Sequence, residues 1–90
     1  MDKVIHVFYS GRVQGVGLRY TALDVAREMG IGGWVKNLDD GRVEVLAQAD
    51  EQVLKDFLER ISRHFSRYIQ HADAEWLNPA GELKDFDVKF

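Results

Sequence analysis

The spacing of apolar residues along this chain changes several times, and each change marks a boundary between predicted elements. Over residues 4–10 the alternation is two-fold, with Ile5, Val7 and Tyr9 on one face and His6, Phe8 and Ser10 on the other. That pattern predicts a strand with the first set turned to the core. From Leu18 the spacing lengthens: Leu18, Ala22, Val25, Ala26 and Met29 fall on one helical stripe, Arg27 and Glu28 face outward, and Gly30 supplies a C-cap. Short strands are predicted over 31–37 and 42–48, the second alternating Val43, Val45 and Ala47 against Arg42, Glu44 and Leu46. Leu38-Asp39-Asp40-Gly41 between them reads as a hairpin turn in which Gly41 is free to take a positive φ. Asp50 is placed to N-cap a second helix, with Glu51 in its first turn. Val53, Leu54, Phe57, Leu58, Ile61 and Phe65 then form a stripe broad enough to cover a sheet.

The pattern loosens at Ser66-Arg67-Tyr68. Residues 69–77 predict a further strand, alternating Ala72, Ala74 and Trp76 against Asp73, Glu75 and Leu77. A turn at 78–81 and a short last strand carrying Phe86, Val88 and Phe90 complete the chain. The order βαββαβ with a terminal strand predicts an α+β fold, a ferredoxin-like sandwich with two helices on one face of an antiparallel sheet.

Composition narrows the chemistry. Ninety residues with one proline and no low-complexity stretch predict one domain over 1–90. The net charge of −3 is made of interspersed acidic and basic residues, which argues against a nucleic-acid surface. The absence of cysteine removes disulfides, thiolate metal sites and a cysteine nucleophile. His6, His64 and His71 have no close metal-ligand spacing, so no metal or other cofactor is expected. Without a signal-type leader or a membrane-spanning run, the expected setting is cytoplasmic, with no membrane partner and a monomeric state.

The candidate chemistry lies in the glycine-rich turn Gly11-Arg12-Val13-Gln14-Gly15-Val16-Gly17-Leu18-Arg19, between the first strand and the first helix. Gly15 and Gly17 let the backbone curl so that successive N–H groups point into one concavity, to which the helix N-terminus adds partial positive charge. Arg19 can bring a forked guanidinium to the same anion. The turn lacks the Gly-Lys-Ser/Thr ending of a Walker loop and the third glycine of a dinucleotide fingerprint. Local spacing alone leaves an anion cradle and an ordinary strand-to-helix turn as equal readings.

The same stretch resembles the first signature of the acylphosphatase family, Gly-x-Val-Gln-Gly-Val-x-aromatic-Arg. Gly33-Trp34-Val35-Lys36-Asn37-Leu38-Asp39-Asp40-Gly41-Arg42-Val43 resembles that family's second, Gly-aromatic-Val-x-Asn-x-x-x-Gly-x-Val. The resemblance implies the ferredoxin-like fold and metal-independent hydrolysis of small acyl phosphates to carboxylate and inorganic phosphate. It also assigns roles: Arg19 binds the phosphate, Asn37 orients the attacking water, and the backbone amides of Gln14, Gly15, Val16, Gly17 and Leu18 complete the cradle. Phosphoryl transfer has a loose transition state and a carboxylate leaves readily, so positioning and charge stabilisation suffice. Leu18 stands where the family usually has an aromatic residue. Ala49 replaces a frequent glycine, and residues 66–68 lack the usual glycine and proline. Without the signatures, Asn37 reads as a turn residue and Arg19 as a surface partner of Asp24 or Glu28. A non-catalytic phosphate-binding or regulatory module is the alternative function.

Overall fold

The computed structural model describes all residues from Met1 to Phe90. Its elements run β1 (Asp2–Gly11), α1 (Leu18–Met29), β2 (Gly32–Asn37), β3 (Val43–Asp50), α2 (Glu51–His64), β4 (Ile69–Leu77) and β5 (Asp87–Lys89). The strands form one sheet in the order β4-β1-β3-β2-β5. The predicted ferredoxin-like α+β architecture is present.

The two-fold alternation in β1 and β3 does what it predicts. Ile5, Val7 and Tyr9 on β1 and Val43, Val45 and Ala47 on β3 are buried against Leu18, Ala22 and Ala26 of α1 and Leu54, Phe57 and Ile61 of α2. Burying such a side chain contributes about 1.5–3 kcal/mol for the large aliphatic and aromatic residues. The other sheet face carries no helix, and there His6, Phe8, Trp34 and Leu46 remain half-buried. On that face His6 Nε2 lies 2.6 Å from Glu44 Oε2, and the Lys89 ammonium sits 4.7 Å from the Trp34 ring.

β1 is central. It pairs antiparallel with β3 on one side, Tyr9 opposite Val43, and with β4 on the other, Tyr9 opposite Ala72. At Gly11 the register of β1 against β4 shifts. Gly11 has φ 119°, and a Cβ there would lie 2.4 Å from the Tyr68 carbonyl oxygen, so only glycine fits where β1 turns into the loop.

The sheet is mixed rather than wholly antiparallel, because β5 pairs parallel with β2. β4 ends beside Val4, at the same end of the sheet where β2 begins. Residues 78–86 cross that end, held by Leu83 N–H donating to Gln48 Oε1 at 3.0 Å and by a bridge between Gly32 and Asp85. A chain emerging beside the start of β2 can only run alongside it in the same direction. Phe86 is buried and Val88 half-buried, but Phe90, grouped with them by alternation, is 87% exposed.

Candidate functional site

The loop between β1 and α1 is shaped by two glycines in the left-handed region, Gly15 at φ 76° and Gly17 at φ 87°. No backbone or side-chain acceptor takes any N–H group from Val13 to Tyr20. Gly17 is the N-cap of α1, offers no capping side chain, and is followed by no acidic residue in the first turn. The start of α1 therefore keeps its orphan donors and the positive end of its dipole free.

Arg19 occupies that first turn and forms no ion pair with any carboxylate. Glu28, one of its possible partners from the sequence, lies instead 3.5 Å from Arg60. The guanidinium carbon of Arg19 lies 5.7 Å from the Tyr20 ring and 5.1 Å from the Phe90 ring. Aromatic faces attract a cation without neutralising it, so the charge stays available for an anion.

Asn37 ends β2, directly before the turn, opposite Val43 of β3. The turn closes as expected: Leu38 N–H donates to Arg42 O at 2.8 Å, and Gly41 takes φ 95°. Arg42 also donates to Asp40 from its backbone N–H (3.1 Å) and its Nε (2.8 Å), and these two bonds hold the Asp40 carboxyl below its ordinary pKa. None of these local bonds uses the Asn37 side chain. Its Oδ1 is buried without a hydrogen-bond partner, the one side-chain atom of the protein in that condition. A turn residue satisfying its own backbone would not leave its acceptor orphaned, at a cost of about 1–3 kcal/mol.

These segments meet at one cavity of about 160 Å³, lined by Val13, Gly15, Gly17, Leu18, Arg19, Tyr20 and Asn37. Such a volume equals roughly five waters at ~30 Å³ each, room for a phosphoryl group and a water. Leu18, in place of an aromatic residue, is buried in the core behind the loop. Gln14 and Val16 do not line the cavity: Val16 packs half-buried against the core, and the Gln14 side chain turns toward the β2–β3 turn. Tyr20 and Phe90 are the neighbours that sequence reasoning left out. Adjacency to Arg19 was the available signal for Tyr20, whereas alternation misplaced Phe90.

Burial pushes the Tyr9 phenol far above its ordinary pKa, so it stays neutral in the core. No three His, Asp or Glu side chains converge as a metal-binding group. A larger cleft of about 770 Å³ lies at the other end of the sheet, beside Asp2, Gln48 and Asp50, and mixes Arg27 and Lys84 with Glu82 and Asp85. Size favours that cleft, but the free cation, the free amides and the orphaned acceptor all belong to the smaller cavity. No helix is long and apolar enough to cross a membrane.

Residues 5–88 match the family described as acylphosphatase. An acylphosphatase of Caldanaerobacter subterraneus subsp. tengcongensis is 39% identical over 90 residues, covering 98% of this chain and 99% of that one. Among solved structures, the acylphosphatase from Bacillus subtilis superposes with a TM-score of 0.90 at 33% identity, covering 98% of this chain and 99% of the other. The acylphosphatase from Coxiella burnetii does so with a TM-score of 0.85 at 29% identity, over 98% and 93% of the two chains.

Proposed function

This chain belongs to the acylphosphatase family and hydrolyses acyl phosphates, and we propose that the cavity between the β1–α1 loop and Asn37 is where it does so. The phosphoryl group sits in the cradle of loop N–H groups, with two of its oxygens accepting from the Arg19 guanidinium. Asn37 Oδ1 accepts a hydrogen bond from the attacking water and aims its lone pair at phosphorus. The water oxygen bonds to phosphorus as the bond to the acyl oxygen breaks, and the carboxylate leaves with the electron pair. The water's protons remain with the phosphate and solvent, so no strong base is required. Charge on the equatorial oxygens is stabilised by donors already in place.

The observation that carries this reading is that Asn37, whose Oδ1 is buried and unpartnered, lines the same cavity as an unpaired Arg19. The acting unit is a monomer, one domain over residues 1–90, working on a small acyl phosphate. The cysteine-free composition suits the cytoplasm. The test is hydrolysis of benzoyl phosphate in excess chelator by the parent, Arg19→Ala and Asn37→Ala. By analogy with arginine fingers, Arg19→Ala loses roughly 10³–10⁵ in rate. Turnover falls in Asn37→Ala but stays measurable, while inorganic phosphate still raises its Tm. Undiminished turnover in a folded Asn37→Ala overturns its role.

A further inference from the structure

The two halves of this site come from segments far apart in sequence, and one side chain ties them together. Gln14 Nε2 donates to Leu38 O at 2.7 Å and to Arg42 O at 3.0 Å. Those carbonyls belong to the residues that close the β2–β3 turn, where Leu38 N–H also donates to Arg42 O. A primary amide has two N–H hydrogens, and here both are committed across the same turn. No other side-chain hydrogen bond joins the β1–α1 loop to this hairpin.

We propose that Gln14 is a positioning residue, holding the hairpin that carries Asn37 at a fixed distance from the anion cradle. The inference rests on the reading of Asn37 as the water-orienting group. Its logic is geometric. The cradle amides and Arg19 lie on the same continuous segment as Gln14, so the phosphate site keeps its shape when the clamp is lost. Asn37 lies on the other segment, directly before Leu38; strand pairing sets its register, and the clamp fixes how far its turn stands from the cradle. A misplacement of about 1 Å at a reacting centre can cost on the order of 10² in rate. Loss of the clamp therefore acts on kcat and spares phosphate binding.

Two variants separate the parts of this argument. Gln14→Glu keeps the length of the side chain but sets a carboxylate against two carbonyl oxygens, and Gln14→Met removes the donors without adding charge. Should the first fail to fold, the second carries the test alone. The measurements are kcat and KM for benzoyl phosphate and the inhibition constant of inorganic phosphate, in the parent and in the Asn37→Ala background. Expected is a fall in kcat of about 10- to 100-fold, with KM and the phosphate constant within about twofold of the parent. In the Asn37→Ala background, Gln14→Met causes no further fall, because the residue it positions is already gone. An unchanged kcat in the folded single variant overturns the proposal. So does a fall in phosphate affinity matching the fall in kcat, or losses that multiply in the double variant. Full turnover in Asn37→Ala by itself overturns the reading beneath the proposal, and the proposal with it.

Discussion

The two helices of this protein begin in opposite ways. At α2, Asp50 caps the first turn, its Oδ2 accepting from Gln52 N–H at 3.2 Å, and Glu51 adds a negative charge beside the dipole. At α1 there is neither a capping side chain nor an acid, and the helix is entered through glycine in the left-handed region. The same four orphan donors exist at both starts. One helix satisfies one of them with its own capping side chain, whereas the other caps none and places Arg19 among them. A cap stabilises by about 1 kcal/mol, so the open start of α1 sacrifices local stability for a site that an external anion completes. Stability and binding are alternative uses of one piece of backbone physics, and the residue types at N-cap and first turn decide between them.

The comparison breaks most sharply if α1 is made to resemble α2. Arg19→Glu supplies the first-turn acid that α1 lacks. Its rate on benzoyl phosphate should fall by roughly 10³ or more, while urea unfolding shows stability unchanged or raised by ~0.3–1 kcal/mol, since a first-turn carboxylate suits the dipole. A large loss of stability would show that Arg19 is structural. A smaller effect is expected of Gly17→Ala. Nothing lies within 4 Å of the added Cβ, so the left-handed φ alone is responsible for a cost of about 1–2 kcal/mol, and weaker phosphate binding should accompany it. Unchanged phosphate affinity would mean that the loop's curl does not shape the cradle. The mildest change removes the cap where it exists: Asp50→Ala should cost about 1 kcal/mol in urea unfolding and leave kcat and KM as they are. A kinetic effect from Asp50→Ala would remove the contrast between the two ends.

Much of this was legible in the chain because it is local. Alternation identified the core face of β1 and β3, the helical stripe identified α2, and Gly41 was placed where the turn needed a positive φ. The glycine-rich loop and Arg19 could be read as an anion cradle for the same reason: their geometry depends on residues within one turn of each other. Phe90 shows where that reasoning stops. Alternation grouped it with Phe86 and Val88, yet its ring ends outside the core, 5.1 Å from the Arg19 guanidinium. Phe90 lies one position past β5, so no strand pairing holds it to the pattern. Gln14 shows the same limit from another side, since its partners lie 24 and 28 residues away. Nothing in the spacing of the first loop names the carbonyls of a later turn.

By itself the sequence determined which segments become strands and helices, which of their faces are buried, and which residue types could meet an anion, because periodicity and backbone preference act over a few residues. Only the tertiary structure decided that Asn37 joins Arg19 at one cavity, that its acceptor is left without a partner, that Gln14 clamps the two segments, and that β5 runs parallel to β2. The meeting of Asn37 with the cradle rests on the register of β2 on β3 and of β3 on β1, which places Asn37 opposite Val43 and Val43 opposite Tyr9. Side chains alternate between faces, so a slip of one residue in that register would carry Asn37 to the other side of the sheet and leave the cradle without its partner.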